Sequence, residues 1–249
     1  MNNNVVFVQA RVDSTRLPNK VLLPVNGKPM IDLQIERIMR AERINNLVVV
    51  IPDTPTNDVL ADHLEDLGVN IYRGSTNNVL LRFIEASKQF KSHIIIRITA
   101  DCPLIMPKLL DEMIEYFNNH EIDYLSNSLK ETFPDGLDIE IFKADILNQL
   151  IKLKVSSEEE EHVTLGIYRR PELFKVVNFS NKIDMGKLRW TVDYVEDYEF
   201  ICRVFSNFKG KETDFDMTDV LSFINQNPDL DNKRSSFFRN ISLNSNHNE

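Results

Sequence analysis

Residues Gln9–Lys20, QARVDSTRLPNK, place Arg11, Arg16 and Lys20 around one acid, Asp13, directly behind the apolar run Val5–Val8. A guanidinium grips phosphate oxygens with a planar fork and an ammonium acts as a mobile point charge, so this loop suits a polyphosphate. Neither GxGxxG nor GxxxxGK[ST] occurs, and 7 glycines in 249 residues leave little for a cradle of backbone amides. The competing reading is a solvated basic loop making surface ion pairs. In RITADCPLI (Arg97–Ile105), Asp101 stands just beyond a second apolar run, where Cys102-Pro103 turns the chain. A carboxylate opposite such cations fits magnesium, which takes one or two carboxylates plus phosphate oxygens. LRWTVDYVEDYE (Leu188–Glu199) offers Asp193 as the second carboxylate. Each acid also has a purely structural alternative: Asp101 as cap of a helix near Pro107, Asp193 as cap of the helix carrying Asp197 and Glu199.

Three further stretches carry weaker signals. In RGSTNNVLLRF (Arg73–Phe83), Ser75 or Thr76 could simply cap the next helix. In LDIEIF, strand alternation puts Asp138 and Glu140 on one face, able to bind acceptor hydroxyls or an amine, or merely solvated. Glu158–Glu161 follow Ser156 and Ser157 and suit the first turn of a helix. His162 is a candidate contact to an acceptor or a partner subunit, against the plainer reading of a core or surface histidine. Trp190, the only tryptophan, is expected to pack in the sheet.

Elements must carry these residues to one place. Val5–Val8, Leu47–Ile51, Val69–Tyr72 and His93–Ile98 read as strands. Met30–Ala41 (Ile31, Ile35 and Ile38 on one face), Asn57–Leu67 (capped by Thr56 or Asn57), Thr76–Phe90 and Pro107 to about Phe117 read as helices. Such alternation predicts a mostly parallel sheet covered by helices, with ligands beyond the carboxyl ends of the strands, where the first loop and Asp101 both lie. Past residue 120 the alternation breaks. Asp123–Ser126, Gly136–Phe142 and Lys187–Val192 are expected strands; Ser156–Arg170, Val195–Phe205 and Met217–Asn225 are expected helices. One domain over 1–227 is anticipated, with an inserted acceptor and dimer lobe over about 120–187 and a flexible tail over 228–249.

A charge of −9 (38 acids, 29 bases) excludes the broad basic surface that nucleic-acid binding needs, so the first loop aims at one small anion. Cys102 and Cys202 show no metal or CxxC spacing and are expected as reduced thiols. MNNNVVFV lacks a signal-peptide n-region, and LVVVI (Leu47–Ile51) is too short to span a bilayer. A cytoplasmic protein without membrane association is expected.

Taken together, QARVDSTRLPNKVL, RGSTNNVLLRF, RITADCPLI, DGLDIEIF, EEHVT and TVDYVEDYE resemble the cytidylyltransferases related to spore coat polysaccharide biosynthesis protein F, themselves similar to CMP-Kdo and CMP-sialic acid synthetases. The resemblance runs from about Val5 to Phe205. It implies an α/β, Rossmann-like nucleotidyltransferase (GT-A-like) three-layer sandwich, commonly a homodimer. It implies Mg2+-dependent activation of a sugar, sugar acid or small phosphorylated acceptor by CTP, with pyrophosphate released, for surface polysaccharide or glycoconjugate synthesis. Gln9, Ala10, Arg11, Thr15, Arg16, Lys20, Thr99 and Ala100 would bind the nucleotide, with Arg73, Gly74, Ser75, Asn78 and Arg82 near cytosine and ribose. Lys20, Arg16, Arg11 and Asp101 would be catalytic, Asp101 and Asp193 would hold the metal, and Asp138, Glu140 and His162 would meet the acceptor. Lys20 is expected exposed at the cleft mouth, and apolar Ile139, Ile141 and Phe142 are expected outside the main sheet at a dimer contact. Two departures stand out: Asn19 where the family often has glycine, and Leu165 after Thr164 where proline is usual. Rival readings are a GT-A-like glycosyltransferase, for which DxD occurs only as DLD and DFD outside the expected loop, and a non-catalytic nucleotide-binding protein.

Overall fold

Unbroken β-branched runs cannot leave either face in water, and they form the centre of the sheet. The computed structural model describes residues 3–232. The chain runs β1 (Asn4–Gln9), a hairpin of β2 (Pro24–Val25) and β3 (Lys28–Pro29), α1 (Met30–Ile38), β4 (Asn46–Pro52), α2 (Asp58–Asp66), β5 (Asn70–Gly74), α3 (Val79–Gln89), β6 (Ile94–Thr99) and α4 (Pro107–Asn119). It continues through β7 (Tyr124–Ser126), β8 (Glu140–Lys143), α5 (Ala144–Lys152), α6 (Ser157–Glu161), α7 (Leu165–Tyr168), β9 (Val176–Asn178), α8 (Val195–Asn207), α9 (Met217–Gln226) and α10 (Asp229–Asn232).

One seven-stranded sheet has the order β5-β4-β1-β6-β8-β7-β9. Pairs among β5, β4, β1 and β6 are parallel, β8 is antiparallel to both neighbours, and β9 runs parallel to β7. Apolar layers cover both faces: Val6, Val8, Ile96 and Ile98 pack with α1 and α4, and Val5, Phe7 and Ile95 pack with α3 and α5.

The second half departs from the sequence reading. The strands of the 120–187 segment extend the main sheet, and Ile139, Ile141 and Phe142 are fully buried core residues, unavailable for a dimer contact. The expected strand at Gly136 begins only at Glu140, so Asp138 precedes the ladder. Lys187–Val192 forms no ladder, only the isolated bridge of Asp135 to Arg189, and Trp190 is fully buried in the core that packs on the sheet. Ser156 does cap a helix through a capping box with Glu159, but the helix breaks at Val163, a β-branched residue at φ +50. The helix α5 and strand β9 were not anticipated. A separate short helix, Asp229–Asn232, follows the expected boundary at 227, with Leu230 buried; residues 233–249, the rest of the expected tail, lie outside the described residues. No helix among the described residues is long and apolar enough to cross a membrane.

Candidate active site

Parallel register puts the end of β1 beside the end of β6, Gln9 opposite Thr99, so the loops that follow leave the same sheet edge. The first loop is pinned from within: Asn57 Oδ1 accepts from the Val12 amide at 3.1 Å, and Asn19 takes the left-handed conformation (φ +57). Asparagine tolerates that region better than other non-glycine residues. The turn Thr99–Cys102 is braced below by Gln34, whose amide donates to the carbonyls of Thr99 (2.8 Å) and Cys102 (3.0 Å). The third motif is stitched to this turn, with the Val192 amide donating to the Asp101 carbonyl at 2.9 Å.

Lys20, Asp101 and Asp193 therefore meet. Lys20 Nζ lies 3.0 Å from Asp101 Oδ2, 3.0 Å from Asp193 Oδ1 and 2.7 Å from the Val192 carbonyl. Lys20 is only 8% exposed, so it sits under the cleft floor and not at its mouth as expected. Burial alone would push the Asp101 carboxyl up, but the Lys20 ammonium and a 2.6 Å hydrogen bond from the Thr99 hydroxyl hold it down at about 2. Asp101 does not cap α4, whose N-cap is Met106. Arg16 donates to Asp193 Oδ1 at 2.8 Å and lies over the Tyr194 ring at 5.2 Å. The cap of α8 is Tyr194, and Asp197 reaches back to the amides of Asp193 and Tyr194; Asp193 is thereby freed from the capping role.

Two cavities share Asp101 and Asp193 in their common wall. One, about 560 Å3, is lined by Gln9, Ala10, Arg11, Thr15, Arg16, Lys20, Arg82, Thr99 and Ala100, all expected nucleotide contacts. The other, about 470 Å3, is lined by Asp135, Asp138, Glu140, His162, Thr164 and Arg189. Arg16, Arg97, Thr99, Asp101, His162 and Asp193 face both.

Several expected contacts lie elsewhere. Arg73 pairs with Asp53 (3.0 Å) and Asp58 (2.6 Å), and lines neither cavity. At Gly74 a Cβ would meet the Tyr72 ring at 2.8 Å and Arg82 at 2.9 Å, a packing requirement. Neither Ser75 nor Thr76 caps α3. Asn78 does, accepting from the Leu81 amide at 2.7 Å, and Ser75 Oγ accepts from the Asn78 amide. Thr76 and Asn77 reach the nucleotide-side cavity instead, in a loop whose Ser75 and Thr76 carbonyls are held by buried Arg82. Burial and the nearby Arg11 lower the Arg82 guanidinium to about 10, so it remains charged at neutral pH. Glu140 is enclosed: Arg97, the Tyr124 hydroxyl (2.5 Å) and the Thr164 hydroxyl all donate to its carboxylate. It still lines the second cavity, and it holds Arg97, whose other nitrogens donate to Gln9 Oε1 at 2.9 and 3.1 Å.

Two arginines escaped the sequence reading. Arg97 stands in the apolar run IIIRIT, and Arg189 in KLRWTV. A lone cation inside a buried run must find a carboxylate, and that was the available signal. Arg189, 6% exposed, donates to Asp135 (2.8 Å), Asp193 (2.9 Å) and Asp197 (3.1 Å). Burial opposes its charge, and these carboxylates outweigh it, raising its pKa above the ordinary arginine value.

A mostly parallel α/β sheet with a cationic loop and two carboxylates converging at its carboxyl edge defines a nucleotidyltransferase. The chain belongs to the cytidylyltransferase family, whose profile matches residues 5–218. It is 31% identical to the spore coat polysaccharide biosynthesis protein SpsF of Bacillus subtilis, over 95% of this chain and 100% of that one. Among solved structures, a cytidylyltransferase from Leptospira borgpetersenii superposes with TM-score 0.89 at 32% identity, covering 96% of this chain and all of that one. A CMP:2-keto-3-deoxy-manno-octonic acid synthetase complexed with CTP shares the fold (TM-score 0.62, 17% identity, 83% and 99% covered). Family membership decides against the glycosyltransferase and non-catalytic readings.

Proposed function

We propose that this enzyme transfers CMP from CTP to an oxygen of a small polar acceptor, with magnesium, and releases pyrophosphate. The observation that carries the reading is the pair Asp101 and Asp193 in the wall shared by the two cavities, held together by Lys20. Arg11 and Arg16 would grip the triphosphate in the first cavity, and the acceptor would lie in the second, along Asp138 and His162. Its oxygen forms a bond to the α-phosphorus as the bond to the bridging oxygen of the pyrophosphate breaks, and the cationic loop steadies the charge that grows there. The all-oxygen pair Asp101 and Asp193 fits magnesium completed by phosphate oxygens, and no cluster of three or more metal-ligating side chains exists among the described residues. Bound there, the ion would polarise the phosphates as a Lewis acid.

The name of the SpsF relative supports a place in surface polysaccharide synthesis, and the use of CTP supports a cytosolic enzyme. A homodimer now rests on family resemblance alone; a monomer mass in light scattering would remove it. The test of the function follows pyrophosphate with CTP, ATP, GTP or UTP and a panel of sugars, sugar acids and phosphorylated polyols. Thermal stabilisation by each nucleotide is measured in parallel. We expect CTP to be preferred and Arg16→Ala to lower turnover about a hundredfold. Equal stabilisation by ATP would remove the cytidine assignment.

A further inference from the structure

We infer that Lys20 occupies the cation position between Asp101 and Asp193 until nucleotide arrives, so that a divalent ion enters only together with the triphosphate. The inference rests on the metal role proposed for these two acids.

Every oxygen of the pair is engaged. Asp101 Oδ2 accepts from Lys20 and Oδ1 from Thr99; Asp193 Oδ1 accepts from Lys20 and Arg16, and Oδ2 from Arg189. The single Nζ atom, 3.0 Å from each acid, stands between the two carboxylates. It is fixed by a third acceptor, the Val192 carbonyl at 2.7 Å. Magnesium cannot ligate both acids while that ammonium remains.

Charge gives the same order. The two carboxylates are balanced by Lys20 and Arg16, while Arg189 is shared with Asp135 and Asp197. A dication added alone meets the Lys20 ammonium and the Arg16 guanidinium in a partly dry site, where repulsion is weakly screened. A triphosphate brings several negative charges and gives Lys20 and Arg16 new acceptors in the adjoining cavity, which both residues line. Metal and nucleotide are then coupled through one lysine, and by linkage each raises the affinity for the other. The lysine stem supplies the reach, since its four-carbon chain can swing the ammonium without moving the backbone.

The experiment is equilibrium dialysis of manganese, as a magnesium surrogate, against nucleotide-free protein. Wild type, Lys20→Met, Lys20→Gln and Lys20→Met/Asp101→Asn are compared, with Asp101→Asn correcting for ions held elsewhere on the acidic surface. We expect at least one Lys20 variant to gain a manganese site at least tenfold tighter than any in wild type, and Asp101→Asn to abolish it. Wild type that binds manganese at this pair as tightly as the variants do would overturn the inference. So would folded Lys20 variants with no gain. Should neither variant fold, wild type alone decides: Asp101-dependent manganese binding without nucleotide overturns the inference, and its appearance only with CTP supports it. The first arms contain no nucleotide, so they are independent of the CTP assignment, which the pyrophosphate assay tests separately.

Discussion

Replacing Arg189 with methionine keeps the buried stem and removes the charge at the junction of three carboxylates. Their side chains are 12% (Asp135), 15% (Asp193) and 0% (Asp197) exposed. Asp193 would keep Lys20 and Arg16, and Asp197 would keep the amides of Asp193 and Tyr194. Arg189 contributes the positive charge that bridges Asp135 and Asp197. Removing one member of a buried ion pair costs about 3–5 kcal/mol, because the remaining charge stays desolvated. Two acids are affected at once and the remaining hydrogen bonds soften the loss, so we expect about 4 kcal/mol for Arg189→Met. Against a total stability of about 5–15 kcal/mol, this is a severe change. Arg189→Lys keeps a charge but not the fork that serves three partners, and should cost about 2 kcal/mol. Urea unfolding at pH 7 followed by circular dichroism measures both. Adding Asp135→Asn to Arg189→Met should recover about 1 kcal/mol or more, since one of the carboxylates that lost its Arg189 pair is then neutral. A loss below about 1 kcal/mol for Arg189→Met, with no coupling to Asp135, would refute the clamp.

Asp101 should give an acid-sensitive component of stability. Its folded pKa of about 2 lies below the ordinary 3.8, so its contribution is complete above the ordinary value and is lost as pH falls from about 4 towards 2. The depression is worth about 2 kcal/mol, and unfolding curves of Asp101→Asn across that window should be correspondingly flatter. Because Asp101 is paired with Lys20, the same variant should be less stable than wild type at pH 7. Gly136→Ala should cost about 3 kcal/mol or more, measured by thermal unfolding: φ is +106, and a Cβ would stand 2.5 Å from the Trp190 carbonyl carbon and the Thr191 nitrogen. Asn78→Ala should cost about 1 kcal/mol as a lost helix cap while CTP affinity changes little; a tenfold loss of CTP binding would restore a direct nucleotide role for Asn78.

How much of this was legible in the sequence depended on how local the determining physics is. Val5–Val8, Leu47–Ile51 and His93–Ile98 announce two-face-buried strands by composition alone, and β1, β4 and β6 are the parallel centre of the sheet. Alternation misled at LDIEIF. It predicted a polar face for Asp138 and Glu140, whereas β8 lies inside the sheet and Glu140 is neutralised there by Arg97 from the neighbouring strand. The helical period over Ser156–Arg170 was sound as a pattern. The helix nonetheless breaks at Val163, and the next residue, Thr164, hydrogen-bonds Glu140, a contact no local window contains. Arg73 failed for a related reason: its spacing brought it to the correct edge, but Asp53 and Asp58, on the loop after β4 and at the start of α2, hold it outside both cavities.

The convergence at the site follows from topology more than from any motif. Because β1 and β6 are adjacent and parallel, the first loop and the Thr99–Cys102 turn emerge side by side, whatever their sequences. A lysine in one and an aspartate in the other then have only a short gap to cross. The third contributor needs a separate device, since the segment before α8 belongs to no strand. Gly136 supplies it: without a side chain there, the backbone around Asp135 closes onto Trp190 and Thr191, and Arg189 is drawn between Asp135 and Asp197. That closure carries the Val192 amide to the Asp101 carbonyl and sets Asp193 beside Lys20. Asp193, the acid proposed to hold the metal, is thus positioned by a glycine and an arginine. Substitutions at Gly136 or Arg189 should accordingly weaken metal and nucleotide binding together, while a change confined to Asp138 in the second cavity should leave both intact.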